Sequence, residues 1–547
     1  MSKSSVIGYR TSVMFDLIIT GASIVDGSGS PAYVGDIAIE GDRIVAVGKV
    51  PETDGRRVIR AEGMIACPGF VDVHSHSDYF LLLNPGAESA VRQGVTTEIG
   101  GNCGYAAAPI WGEWREERAR TCRDLYGLDH EWQGVQEYFQ RLSTETLSIN
   151  FGLLLGHNTI RGSVTGGAAR APDAAEMETM IRAVRQGMQE GAMGLSTGLI
   201  YAPACFAQPE ELVVLARVTR EEGGVLTCHM RSEGDGLLEA IREILDVARE
   251  ARIPLQISHL KTSGERNWGK LSEALRLIEE AQARGQDVTA DRYPYTASNT
   301  QLQAVMPSWA LEGRRDEQVA RLRDASIRAR LSLDLAEKRW DQIMIAEVTR
   351  EGNKHFEGMR VNQAAALAGK EPVPFVCELL VEEEARVDAI FFTMSEENLE
   401  RILTRPYIMV ASDSGTRAHV GPLSRGRPHP RTFGTFPRVL GAYVREKRLL
   451  ELPTAIRKMT FDPCRRFGLN DRGLVAAGCY ADLVLFVPDT VRDRSSYEDP
   501  IQYPDGIRYV FVNGVITVEE GEHTGVRAGR VLRSSGRRAK SAVEERS

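Results

Sequence analysis

Five residues able to bind a metal or move a proton fall at comparable places in this sequence. His74 and His76 form an HxH pair in VDVHSHSD, residues 71 to 78. His229 ends GGVLTCHM, His259 ends IPLQISHL and Asp413 ends YIMVASD, each an apolar run that reads as a strand. A single histidine at a strand end is more often a hydrogen-bonded core residue than a ligand. Four imidazoles and a carboxylate at the same end of different strands are another matter, and suit Zn²⁺ or a similar divalent ion. Cys103 lies in the Gly-rich turn EIGGNCGYAAAP. It is either an inert packed thiol or, beside an imidazole pair, a zinc thiolate. His157 also ends a strand, LSINFGLLLGH, and reads as a rim group outside the ligand set. Cys228 should point away from the face that His229 uses, because neighbours on a strand alternate.

These residues need a scaffold that brings several strand ends together. Pro68 and Gly69 mark a turn, and Phe70, Val71 and Val73 alternate as a buried strand. His74 and His76 follow at i and i+2, on one face if the strand continues. From residue 71 to about 466 apolar strands alternate with helical stretches such as AAEMETMIRAVRQGMQEGA and LLEAIREILDVAREA. That pattern implies parallel βα units. About eight of them make an α/β fold, a TIM-like (β/α)8 barrel, with its active site at the C-terminal ends of the strands. Residues 14–70 carry short alternating strands separated by Gly-rich turns, and residues 467–532 return to that style. The economical reading is one small β domain built from both chain ends. Residues 300 to 360 are charged, helix-like and poor in strand pattern; they read as an insertion, either a lid or a surface excursion. Residues 1–13 read as a loose leader and 533–547 as a disordered polar tail.

Composition narrows the function classes. The chain has 547 residues, 42% hydrophobic and 26% charged, as in ordinary globular proteins. Its net charge of -8 argues against a dedicated nucleic-acid binder. No apolar run approaches the roughly 20 residues of a membrane span. The first residues lack a signal core with a cleavage site, so a cytoplasmic protein is expected. The eight cysteines are scattered, as suits reduced thiols. No P-loop or GxGxxG follows a strand, and the GSGSP at 27–31 sits in a hairpin, so a nucleotide cofactor is not indicated.

The chain resembles the amidohydrolase superfamily, and more specifically the D-aminoacylase (N-acyl-D-amino-acid deacylase) family. The resemblance is carried by PGFVDVHSHSD, GVTTEIGGNCG, GHNTIR, EGAMGLSTGLIYAP, HMRSEG, ISHLK, DRYPYTAS, ASDSG, RPHPRTFGTFPRVLG, IRKMT and RGLVAAGCYADLVLF. These run in family order from about residue 65 to 490. The resemblance implies a TIM barrel with a small β-sandwich formed by both termini. It also implies one tight zinc, held by Cys103, His229 and His259, and an adjoining weaker site at His74, His76 and Asp413. The family's grip on the substrate carboxylate maps onto Lys261 of ISHLK, Tyr293 of DRYPY and Arg431 of HPRTFG. Each suits a carboxylate, since two are cations, one of them with a bidentate fork, and the third is a phenol. The implied activity is hydrolysis of the amide of a small-molecule N-acyl-D-amino acid. Zinc would activate water, and Asp413 would act as general base. After YPY the chain reads TASNT where many relatives have a Gly-Ser pair, which leaves the side-chain preference open. The alternative is a cyclic-amide hydrolase of the hydantoinase or dihydroorotase kind. Those relatives usually bridge two metals with a carboxylated lysine, and no lysine stands at a matching strand end. The oligomeric state is not indicated.

Overall fold

Parallel strands covered on both faces carry continuous apolar sequence, and the strands of this protein are short and buried for that reason. The computed structural model describes residues 14–534. The expected leader lies outside the described residues, as does all of the expected tail beyond residue 534. The chain is a mixed α/β protein. One parallel sheet joins Phe70–Asp72, Val95–Gly100 and Asn150–Leu153. A second runs Ile408–Val410, Val288–Arg292, Leu255–Ile257, Val225–His229, Gly194–Gly198 and Leu155–Gly156, again all parallel.

The run LSINFGLLLGH, expected as one strand, breaks at Leu154 and supplies both sheets. The Leu154 N–H donates to the Gly100 carbonyl at 2.9 Å, and the Leu153 carbonyl accepts from Met193 at 2.8 Å. At the other edges, Ser75 and Ser414 form a parallel bridge. Beside it the Asp413 N–H donates to His74 O at 2.9 Å and the His76 N–H to Ser414 O at 3.0 Å.

The helices between strands follow from the sequence. In Leu237–Ala251 the residues Leu237, Ala240, Ile241, Ile244, Ala248 and Ala251 are buried, an i, i+3, i+4 stripe. Ala174–Gln189 begins at Asp173, whose carboxylate accepts from the Ala175 and Glu176 N–H groups while Glu176 reaches back.

The chain ends share one nine-stranded sheet. Its central seam pairs Ile65–Pro68 antiparallel with Leu483–Phe486, Leu483 opposite Pro68. Leu17, Ile19, Ile37, Ile39, Leu483, Leu485 and Phe511 share an apolar cluster there.

The charged stretch after residue 297 contains more strand than its sequence suggests. Ser298–Gln301, Asp388–Phe391 and Ile343–Glu347 form a three-stranded antiparallel sheet in that order. A separate apolar cluster running from Leu302 to Ala389 supports it. The layer thus reaches past residue 360. Its first strand, SNTQ, has no apolar alternation, which explains the missing signal.

Candidate metal centre

The strand that leads to the HxH pair ends at Asp72, so His74 and His76 sit in the loop beyond it rather than on one strand face. They converge because the loop is pinned: Asp72 Oδ1 accepts from the His74 N–H at 3.1 Å and the Ser412 N–H at 3.0 Å. His229 is the last residue of its strand, while His259 and Asp413 follow theirs by two and three residues. Cys103, His259 and Asp413 all have left-handed backbones, with φ of 53°, 37° and 52°. Such conformations are costly for non-glycine residues and cluster at functional sites. Here they turn each side chain sharply inward at the strand mouth. Neighbouring bonds stabilise the turns: the His259 N–H donates to Asp291 Oδ1 at 2.8 Å. In GGNCG, a Cβ on Gly101 would stand 2.2 Å from Leu154 O, and one on Gly104 would stand 1.8 Å from Asn158 Oδ1. Only glycine allows Cys103 this close approach.

The side chains gather into two donor groups that share Cys103. One is His74, His76, Cys103 and Asp413, the other Cys103, His229 and His259, with the donor atoms of each group within 4.8 Å of one another. His74 Nε2 lies 3.2 Å from Cys103 Sγ and 3.3 Å from Asp413 Oδ1. His76 Nε2 lies 3.1 Å from the same Asp413 oxygen. Cys103 Sγ lies 3.5 Å from His259 Nε2. Except for the partly open His76, all six are buried. Burial alone would raise the Cys103 pKa, but His74, His229 and His259 outweigh it and hold the thiol well below its ordinary range. Asp413 is likewise held well below the usual carboxylate range, its burial opposed chiefly by Arg431 and then by His259 and His74.

The donor set fits a zinc ion on two grounds. A thiolate with two imidazoles is a preferred ligand combination. And neither ring nitrogen of the buried His229 has a hydrogen-bond partner, a costly state that a bound cation would relieve.

The residues expected to grip a carboxylate lie around this centre. The Tyr293 hydroxyl is buried without a partner. Its ring centre lies 4.6 Å from the Arg431 guanidinium carbon and 5.8 Å from Lys261 Nζ. Arg431 Nη1 donates to Asp413 Oδ2 at 2.7 Å and Nη2 to the Asn299 carbonyl at 3.2 Å, while Nε has no partner. Lys261 Nζ lies 2.5 Å from Glu233 Oε1 and 2.6 Å from His259 Nδ1. Of the three, only Tyr293 presents an entirely uncommitted polar group.

Comparison with known proteins agrees with this arrangement. The model of the amidohydrolase family matches residues 57–518. The chain is 35% identical to the D-aminoacylase of Alcaligenes xylosoxydans xylosoxydans, over 95% of this chain and 97% of that one. It is also 35% identical to the N-acyl-D-aspartate deacylase of that organism, over 94% and 95%. The crystal structure of N-acyl-D-glutamate deacylase from Bordetella bronchiseptica, complexed with zinc and a phosphonate inhibitor, superposes with a TM-score of 0.82 at 34% identity. That match covers 95% of this chain and all of the other. The chain belongs to the D-aminoacylase family of amidohydrolases. The matched range 57–518 contains both donor groups and the layer formed by residues 298–391.

Several residues of this D-aminoacylase-family site were not singled out by sequence. Glu233 touches both His259 and Lys261; its place four residues after His229 in HMRSEG was the available signal. Asp291 lies 3.3 Å from His74 Nδ1, though without hydrogen-bond alignment. His429 braces the loop before Arg431: its Nε2 lies 2.9 Å from the Ala297 carbonyl and its Nδ1 accepts from the Arg431 N–H at 3.0 Å. Burial and then Arg431 keep this imidazole well below its ordinary pKa, hence neutral. His157 belongs to neither donor group; it lies 2.9 Å from Thr197 Oγ1 and 2.8 Å from Glu211 Oε1 in a buried cluster with Arg161. Cys228 sits in the apolar core, as strand alternation requires.

Proposed function

We propose that this chain is a zinc-dependent deacylase that hydrolyses the amide bond of N-acyl-D-amino acids, giving a carboxylate and a free D-amino acid. One observation carries the reading: Cys103 belongs to both donor groups. A thiol held in common suits two adjoining cation sites of unequal strength. Cys103, His229 and His259 would hold the tight zinc, and His74, His76 and Asp413 the adjoining weaker site. When bound, zinc supplies an activated water near neutral pH and polarises the scissile carbonyl. The cyclic-amide alternative calls for a bridging lysine, and its place is taken by the thiol.

The chain's own groups do the rest. Asp413 is ionised; Arg431 occupies Oδ2, and Oδ1, which faces His76 Nε2 at 3.1 Å and His74 Nε2 at 3.3 Å, would receive the proton of the attacking water. The same oxygen returns that proton to the amide nitrogen as the C–N bond breaks. Tyr293 donates its free hydroxyl to the α-carboxylate, and Lys261 and Arg431 supply charge. With carbonyl and carboxylate both fixed, only one enantiomer directs its side chain into open space.

The finer architecture belongs to the same reading. The parallel strands, eight when the two halves of the run broken at Leu154 are counted as one, are taken to close into a (β/α)8 barrel, supported by the Ser75–Ser414 bridge and its flanking hydrogen bonds. Residues 14–70 and 467–532 are taken as a β-sandwich, and the layer around 300–360 as a lid over the strand mouths. The Arg431–Asn299 bond favours the lid over a remote surface excursion. A reducing cytoplasmic setting suits eight unpaired cysteines.

The test is release of a free amino acid from a panel of N-acetyl-D- and N-acetyl-L-amino acids by purified, zinc-replete protein. Release confined to D-substrates is expected. No release from any D-member, or equal release from both series, overturns the proposal.

A further inference from the structure

Lys261, expected at the substrate, directs two of its three ammonium donors into the protein, and both contacts lead to Glu233. Glu233 Oε1 lies 2.5 Å from Lys261 Nζ and 2.8 Å from His259 Nδ1, and its other oxygen lies 3.8 Å from His229 Nε2. The loop carrying it is stitched to the loop after His259, since the Ser263 N–H donates to the Glu233 carbonyl at 2.7 Å. Burial would raise the Glu233 pKa, but Lys261, His229 and His259 together hold it well below the ordinary value.

The chemistry at His259 decides what this carboxylate does. His259 Nε2 faces Cys103 at 3.5 Å, so a cation shared with the thiol takes that nitrogen. The neutral ring then carries its one proton on Nδ1. Nδ1 has two polar neighbours, Lys261 Nζ at 2.6 Å and Glu233 Oε1 at 2.8 Å. An ammonium has donors and no acceptor, so it cannot take a hydrogen bond from Nδ1–H; a carboxylate can. With Nε2 given to a cation, Glu233 Oε1 would be the neighbour able to accept the Nδ1–H, and Lys261 Nζ could no longer donate to Nδ1. Lys261 keeps its charge partner and gains a free N–H.

We propose that Glu233 is a positioning residue serving two parts of the site at once. It orients His259 for the metal, and it holds Lys261 so that the freed donors face the substrate carboxylate. The second role rests on the deacylase reading; the first does not.

Glu233→Gln and Glu233→Asp in the full chain test both roles. Zinc affinity is measured by competition with a chromophoric chelator. Removing the carboxylate behind a metal-ligating imidazole weakens the metal by about 10- to 100-fold, and that loss is expected for Glu233→Gln. Glu233→Asp keeps the charge and should lose less; it also carries the comparison if the Gln variant does not fold. At saturating zinc, Glu233→Gln should raise KM for an N-acetyl-D-amino acid more than it lowers kcat. The same amide without its α-carboxylate should show little change in KM. Parental zinc affinity in the variants overturns the first role, and equal KM changes for both substrates overturn the second. The zinc measurement uses no substrate, so a chain that deacylates nothing would still decide the first role.

Discussion

Asp413→Asn strikes two things at once, the buried pair with Arg431 and the proposed base role of Asp413. Asp413 and Arg431 are both buried, and Nη1 meets Oδ2 at 2.7 Å. Replacing the carboxylate by an amide leaves the guanidinium charge uncompensated, and breaking a buried pair in this way costs about 3–5 kcal/mol. Turnover should fall as well, by about 10²- to 10⁴-fold, because the amide cannot receive the proton of the attacking water. Stability loss and rate loss are thus expected together, and the single variant cannot apportion them. Adding Arg431→Met removes the unpaired charge. Thermal or urea unfolding of Asp413→Asn/Arg431→Met should show most of the lost stability recovered, while turnover of an N-acyl amide without an α-carboxylate, which does not call on Arg431, stays down at saturating zinc. Zinc content should remain near one per chain throughout, because Cys103, His229 and His259 are untouched. If Asp413→Asn turns over within tenfold of the parent, Asp413 is not the proton acceptor. If the double variant regains the rate, the loss came from the stranded arginine rather than from the missing base.

Three further expectations follow from the donor groups and the buried carboxyls. Cys103→Ala and His259→Ala should each lose the tight zinc; parental zinc content in both by elemental analysis would dismantle the assignment. Gly104→Ala keeps every ligand but brings a Cβ to 1.8 Å from Asn158 Oδ1, so it should displace the Cys103 turn and weaken zinc binding; unaltered affinity in the chelator competition would show that this turn does not hold the thiol in place. Burial, then the charge of Asp72, raises the Glu98 pKa from 4.5 to about 8. A carboxyl raised on folding leaves stability intact below about 4.5 and costs about 1.4 kcal/mol per pH unit between the two values. Glu98→Gln should therefore be more stable than the parent at pH 8 and lose that advantage by pH 4; an advantage that does not vary with pH in urea unfolding would refute the buried-acid argument.

The strands were legible because both of their faces are buried, so each appears as a continuous apolar run. Val225–His229, Leu255–Ile257 and Ile408–Val410 fall within the runs that pointed to His229, His259 and Asp413. The loop geometry beyond the strands was not legible. The HxH spacing suggested two rings on one strand face, whereas the strand stops at Asp72 and backbone bonds to its carboxylate aim the loop. Left-handed φ at Cys103, His259 and Asp413 leaves little mark in residue type: Gly is the residue that normally advertises it, Asn, Asp and His adopt it less often, and Cys103 is none of these. The layer after residue 297 is hidden in the sequence for a different reason. Its three short antiparallel strands lie far apart in the chain among charged helical stretches, and the first of them, SNTQ, has no apolar residue to alternate.

Arg431 shows how contact geometry changes a role that residue type alone suggests. As an isolated arginine in a Pro-rich loop it offers a fork for a substrate carboxylate. In place, one arm of that fork is already on Asp413 and another on the Asn299 carbonyl. On the deacylase reading, a substrate carboxylate drawn to Arg431 shares the guanidinium with Asp413, beside the strand Ser298–Gln301. On that reading the Arg431–Asp413 bond couples recognition of the carboxylate to orientation of the base. The layer is tied in at the same point, because Thr300, next to Asn299, lies 3.0 Å from the Tyr201 hydroxyl, and the Tyr201 ring stands edge-on to His229 at 4.9 Å. The strand Ser298–Gln301 thus touches a neighbour of His229 on one side and the arginine on the other. On the deacylase reading, it is the segment that links His229, a proposed metal ligand, to Arg431 and through it to Asp413, the proposed base.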